Sequence, residues 1–424
     1  MAELFYLSTA GGSDALGLVC DFHRAMSSSL TTVLILARNM FLAAGPYFIR
    51  RFQSDEWILE HFQSVELSVS SIALLSSVYI LSQLQENANY PRRVLVALTM
   101  NIVTFTMLAI STKSYTDVSA ATYFLFLILM VLLSSIAAGL MQNGIFAYVA
   151  SFGVEKYIQG IMTGQAIAGV LPAIIQIIAA TSVSSKAENG QGPRLSSTSA
   201  LSYFLTATAV SALTLLAFVF LVRRQQGFKI SVVSSVDLRP AKDSLQMVPF
   251  KKLFRELYWF ACAVFLTFAV TMVFPVFTQK IISVQPAEDA PKLLQPESFI
   301  PLAFFFWNLG DLIGRLLTAV ATLSLTSAPR TLFLLAVARI AFVPMYLLCN
   351  IRGQGALVQS DLFYLGFVQL FFGVSNGFVG STCMMAAGQW VGMDEREAAG
   401  AFMGFCLVAG LSVGSLLSFT VAGA

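Results

Sequence analysis

Charge is scarce in this sequence: 11% of its 424 residues are Asp, Glu, Lys or Arg, and only two, His23 and His61, are histidine. A soluble domain carries about 25% charged residues, so a soluble globular fold is excluded. No HExxH, CxxC or P-loop pattern occurs, which removes the usual signs of zinc, thiol-redox and nucleotide chemistry. Neither a metal nor a cofactor is expected. The five cysteines (Cys20, Cys262, Cys349, Cys383 and Cys406) show no paired spacing, and four of them lie in apolar runs. They read as small apolar side chains, not as a disulfide framework. No nucleophile stands with a base, and neighbouring apolar runs carry no paired aspartates, so the chain is not expected to be an enzyme. A net charge of +3 is too small to indicate a nucleic-acid partner.

What is abundant is apolar surface, with 57% of residues hydrophobic. From Ser28 onward, apolar runs fall at roughly 28–48, 65–84, 94–112, 121–149, 159–182, 199–222, 256–279, 300–323, 331–350, 361–388 and 398–422. Each is about long enough to cross a bilayer as a helix. The expected fold is therefore an all-α polytopic membrane protein with eleven transmembrane helices, its fourth and tenth spans long enough to tilt or emerge from the membrane. Residues 1–27 lack a basic start, apolar core and cleavage site, and read as an N-terminal tail without a cleaved signal.

The longest break, residues 223–255, is basic and contains several serines. It reads as a linker tolerant of Ser or Lys substitution, between a six-helix bundle over 28–222 and a five-helix bundle over 256–424. With a cytoplasmic N-terminus, 14 of the 25 Lys and Arg residues fall inside, eight outside and three within spans, and eight of the 14 lie in the linker. The positive-inside rule then puts tail and linker in the cytoplasm and Ala424 on the extracellular or lumenal side. No address distinguishes the plasma membrane from a vacuolar or other endomembrane.

Polar residues inside these runs should line something or hold helices together, because hydrocarbon penalises them otherwise. Asn308, Asp311 and Arg315 stand at offsets of three, four and seven in the eighth run, on one helical face with Gly314 close to the same stripe. An acid four residues before a base is the favourable orientation for a helical ion pair. Two readings stay open for Asp311 and Arg315: a clamp between helices, or a site for a polar, hydroxyl-bearing solute crossing at mid-membrane depth. Gln142 in the fourth run could read the edge of a base or bond a neighbouring helix. Gln165 and Asn376 read as packing residues, Arg339 requires a carboxylate or backbone carbonyls, and Arg38 marks either a displaced first helix or a functional cation. Gly160, Gly164, Gly169, Gly400, Gly404, Gly410 and Gly414 have the spacing of close helix packing. Pro172 and Pro344 should kink their helices.

The stretch FFFWNLGDLIGRLLTA resembles the signature helix of the equilibrative nucleoside transporters. The similarity extends through MTGQAIAGVLPA, ARIAFVPMYLLCNI, NGFVGSTCMMAAGQW and EREAAGAFMGFCLVAGLSVGS, covers roughly residues 36–422, and looks closest to fungal or other lower-eukaryotic members. The resemblance implies a major-facilitator-like architecture of six plus five helices around a central cavity, and alternating-access facilitated diffusion of nucleosides or nucleobases. By position it implies that Asp311 and Arg315 hold ribose hydroxyls, that Gln142 meets the base, that Leu42 supplies an apolar wall, and that Asn39 and Asn308 tie helices together. Where the family carries Leu-Pro-Trp-Asn, this chain has Leu36, Ala37, Arg38 and Asn39, so Arg38 stands where an aromatic flanks the cavity. Proton-coupled nucleoside transport, a sugar or drug carrier of the wider facilitator superfamily, and a non-transporting receptor are the alternatives. The expected partners are the nucleoside and the bilayer, with a monomer sufficient.

Overall fold

The computed structural model describes residues 41, 44–85, 88–114, 118–183, 197–233, 248–286 and 290–422. Most of the first predicted span, including Arg38, Asn39 and Leu42, therefore lies outside the described residues. Among those described, ten helices or helix runs are long and apolar enough to cross a membrane.

Among the described residues the N-terminal half holds a short α1 (Gly45–Arg51) and five long helices: α2 (Glu56–Gln83), α3 (Tyr90–Ser114), α4 (Ala120–Ala150), α5 (Glu155–Val183) and α6 (Ser197–Val233). Local chemistry sets their starts. Asp55 caps α2 by accepting from Ile58 N at 3.1 Å, and Ser119 caps α4 by accepting from Thr122 N at 3.3 Å, each satisfying an amide that the first helical turn leaves open. At 31 residues α4 is about 46 Å long, so it overshoots the hydrocarbon core as its sequence implies. Pro172 sits inside α5 without ending it.

The C-terminal half is less regular. α7 (Phe250–Glu256) leads into α8 (Tyr258–Thr271) and α9 (Phe274–Thr278), a break within the seventh span caused by Pro275 in the first turn of α9. α10 (Pro296–Leu317) ends earlier than its apolar run. The ninth span is α11 (Pro329–Ala338), a 3₁₀ turn at Arg339–Ala341 and α12 (Phe342–Tyr346), the interruption expected where Pro344 removes a backbone donor. The tenth opens with a π-helical segment, Phe363–Gln369, before α13 (Leu370–Ala387), and α14 (Arg396–Ala422) closes the chain. The break at 223–255 is helical at both ends, in α6 through Val233 and in α7 from Phe250.

Lipid-facing positions stay apolar and exposed, with Ile72, Leu125, Leu213, Leu216 and Leu334 each at least 65% accessible. The buried apolar residues sort by depth. One cluster joins both halves at the linker end, from Val78, Met141, Phe146 and Met162 to Phe260, Cys383, Phe402 and Leu407. At the other end the halves keep separate clusters, one around Phe48, Phe52, Phe105 and Phe204, the other around Phe277, Phe299, Tyr346 and Phe372. The bundles meet through α5 against α10 and α13, and α14 against α2 and α4. Gly400 and Gly404 make the last contact close: a Cβ on Gly400 would overlap Phe146 O and Ala150, and one on Gly404 would touch the Phe146 ring.

The chain entering α7 straps this closed end. The buried Gln85 side chain accepts from Val248 N at 3.1 Å and donates to Val248 O at 3.3 Å. The Phe250 ring packs against Tyr79 of α2 and against Phe402 and Phe405 of α14. Lys252 pairs with Glu395, whose hydrogen bond raises the ammonium pKa above its usual value. Gln85→Leu strands both polar groups of Val248, which costs about 1–3 kcal/mol. Its melting temperature in detergent should fall by several degrees, and an unchanged value would show that the strap adds nothing to stability.

Candidate functional site

Asp311 lies six residues before the end of α10 and Arg315 lies in its last turn. The apolar run continues past Leu317, but the helix ends there, so Asp311 lies under two turns from the linker-side end of α10 and Arg315 within its last turn. A cation there also complements the partial negative charge of the helix C-terminus. Gln142 in α4 and Met162 in α5 stand at similar depth, eight and seven residues from the linker-side ends of their helices.

The two charges are buried, at 3% and 5% accessibility. Arg315 Nε donates to Asp311 Oδ2 at 2.8 Å. Arg315 Nη1 crosses to the other bundle, donating to Met162 O and, at 3.2 Å, to Gln165 Oε1. Its Nη2 has no protein partner among the described residues. The second oxygen of Asp311 accepts from Asn376 Nδ2 at 2.7 Å. Both carboxylate oxygens are thus engaged, as a buried charge requires. Gln165 and Asn376, which read from sequence as packing residues, are direct partners of the pair.

Behind Asn376 stands Arg339, the largest fully buried side chain of the described residues. It donates through Nη1 to Phe372 O at 3.0 Å and Ser375 Oγ at 2.6 Å, and through Nη2 to Thr271 Oγ1 at 2.8 Å and Asn376 Oδ1 at 3.3 Å. Its guanidinium carbon lies 4.6 Å from the centre of the Phe372 ring. A backbone carbonyl does bond Arg339, as its sequence position demands, while its Nε has no partner and no carboxylate bonds it directly among the described residues. Thr271 and Ser375 carried no sequence signal, because hydroxyls in membrane helices commonly bond their own helix.

Asn308 donates to Phe304 O at 2.8 Å within its own helix. Its side chain occupies the notch left by Gly169 of α5, where a Cβ would overlap Oδ1, so it does meet the neighbouring bundle. Nearer the linker, Gln159 of α5 donates to Thr318 Oγ1 at 3.3 Å. A seam of polar contacts therefore runs along α5 and α10. Gly314 packs its Cα face against the Val374 carbonyl of α13.

Gln142 is 5% accessible and its Nε2 finds no acceptor among the described residues. It shares a helical face with Phe146, one turn further from the linker end than the seal that Phe146 makes with Gly400 and Gly404. The Trp307 indole N–H, one turn before Asp311, is likewise buried without an acceptor among the described residues, and its ring stacks on Phe274 at 4.1 Å. No group of three or more His, Cys, Asp or Glu that could hold a metal occurs among the described residues. What the arrangement offers is a carboxylate, a guanidinium with free donors and an amide, set just beyond the closed end of a two-bundle protein.

Comparison with known proteins agrees with this architecture. Solved structures with the same fold include the major facilitator superfamily transporter FucP in its outward conformation, with a TM-score of 0.55 at 11% identity over 95% of this chain and 92% of that one. A bacterial homologue of the iron transporter ferroportin in an outward-facing state gives 0.57 at 11% identity over 94% and 97%. In sequence, Nucleoside transporter FUN26 of Saccharomyces cerevisiae is 30% identical over 435 residues, covering 90% of this chain and 80% of that protein. Equilibrative nucleoside transporter 1 of Homo sapiens is 28% identical over 390 residues, covering 84% and 81%. The nucleoside transporter family profile matches residues 127–231 and 224–422, and the chain belongs to that family as a multi-pass membrane transporter with the major-facilitator fold.

Proposed function

We propose that the protein carries nucleosides down their concentration gradient by alternating access, holding the solute between Asp311 and Arg315 on one side and the N-terminal bundle on the other. The observation that carries this reading is the Asp311–Arg315 pair, buried at the bundle interface just beyond the sealed end, with Arg315 bonded to both halves. A carboxylate accepts from vicinal hydroxyls while the remaining Nη2 hydrogens donate to them, which matches a ribose. Gln142, with an unused amide donor at the same depth, suits the edge of a base. Leu42 and Arg38 of span one, outside the described residues, are assigned to the site from sequence and resemblance alone. Binding at an interface favours an intermediate closed on both sides, and the empty carrier returns by the same rocking motion. No covalent step is involved, and a monomer suffices.

We place the linker in the cytoplasm of a plasma membrane or endomembrane, which turns the joined end of the bundles inward and the separate apolar clusters outward. The test is counterflow: purified protein in proteoliposomes preloaded with unlabelled nucleoside, given radiolabelled uridine or adenosine without a pH gradient. Transient accumulation of label is expected. Its absence in folded protein overturns the proposal.

A further inference from the structure

Asn376 is an amide, and an amide can face either way. Its orientation decides whether Asp311 receives a donor or meets another oxygen. In the structure Asn376 Oδ1 lies 3.3 Å from Arg339 Nη2 and 2.7 Å from Thr271 Oγ1, while Nδ2 is turned to Asp311 Oδ1 at 2.7 Å. Thr271 has one hydrogen to share between Asn376 and Thr267 O, whereas Arg339 offers only donors. The reverse orientation would set the amide hydrogens against a guanidinium and the amide oxygen against a carboxylate. Arg339 is therefore the group that fixes the direction of the amide.

The guanidinium is itself fixed. Phe372 O, Ser375 Oγ and the Phe372 ring hold three of its faces, and the 3₁₀ turn at Arg339–Ala341 brings it out of span nine at the helix break. We propose that Arg339 is a positioning residue for solute recognition: it acts through Asn376 to hold the Asp311 carboxylate in the orientation that receives ribose hydroxyls. Arg339 makes no hydrogen bond to Asp311; Asn376 stands between them, bonded to both. The inference rests on the reading of Asp311 as a ligand for those hydroxyls.

The experiment compares uridine with 2′-deoxyuridine and 3′-deoxyuridine in proteoliposomes, recording KM and maximal rate for each. A brace that merely holds helices together would lower transport of all three alike. A positioning residue changes their ratio. Arg339→Met and Asn376→Leu are expected to reduce the preference for uridine by about tenfold, mostly through KM, since the second removes the donor to a charged acceptor and the first removes the group that orients it. Arg339→Lys should restore part of it, and Arg339→Met should add nothing to the loss of preference in Asp311→Asn. Wild-type ratios in Arg339→Met or Asn376→Leu, with only a uniform loss of rate, overturn the proposal while leaving Asp311 in place. An unchanged ratio in Asp311→Asn itself overturns the ligand reading, and the positioning role with it. Should Arg339→Met fail to fold, Thr271→Val removes the other donor to the Asn376 oxygen and Asn376→Ser replaces the amide with a small hydroxyl, and wild-type ratios in both likewise overturn the role.

Discussion

Arg315→Ala should reduce nucleoside counterflow to the level of empty liposomes. Three contacts disappear together: the Nε donor to Asp311, the Nη1 bonds to Met162 O and Gln165 Oε1 across the bundle interface, and the Nη2 hydrogens left for the solute. Asp311 then keeps only Asn376 as a donor in a site that admits little solvent. Removing one partner of a buried ion pair costs about 3–5 kcal/mol, so the melting temperature should fall as well. The two effects separate in Arg315→Lys and in the double substitution Asp311→Asn with Arg315→Met. The lysine keeps the charge but lacks the planar fork, so transport should stay below about one tenth of wild type in a protein of near-normal stability. The double substitution removes both charges and should recover stability without recovering transport. Uptake at the wild-type rate in Arg315→Ala would show that the solute does not use this pair.

The same residues show how far the sequence alone reaches. Ten of the eleven apolar runs coincide with helices or helix runs of spanning length, because hydrocarbon forces the backbone to satisfy itself within each segment. Asp311 and Arg315 declare their pairing because both lie on one helix, where spacing fixes geometry. Arg339 declares only a need. Its partners come from two other spans and its own span breaks beneath it, so spacing along the chain gives no sign of Thr271, Ser375 or the Phe372 carbonyl. The length of the eighth helix is misread by the run length, since residues 318–323 continue the apolar character of α10 after its helix has stopped at Leu317. Gly400, Gly404, Gly410 and Gly414 show their packing role by spacing, and each does face a neighbouring helix or ring closely. For span one, Arg38, Asn39 and Leu42 remain readings of sequence and resemblance.

Gly377→Leu should leave no folded protein to purify. Gly310 and Gly314 of α10 face Gly373 and Gly377 of α13, and a Cβ on any of the four would overlap a backbone carbonyl opposite: Leu370, Val374, Trp307 and Asp311 respectively. These two interlocked small-xxx-small motifs bring the helices together at backbone distance, the arrangement that drives association where lipid offers no hydrophobic gain. A carbonyl cannot swing aside as a flexible side chain would, so even Gly377→Ala must part the helices, at about 1–3 kcal/mol. Gly388, at the end of α13, has open space where its Cβ would be, and Gly388→Ala serves as the matched control with a melting temperature near wild type. Gly377 adjoins Asn376 and abuts the Asp311 carbonyl, so parting the helices also stretches the 2.7 Å bond between those two side chains. Gly377→Ala should therefore weaken uridine recognition as well as stability. A Gly377→Ala protein that melts and transports like Gly388→Ala would mean that α10 and α13 separate freely, and that Asp311 is not held by this contact.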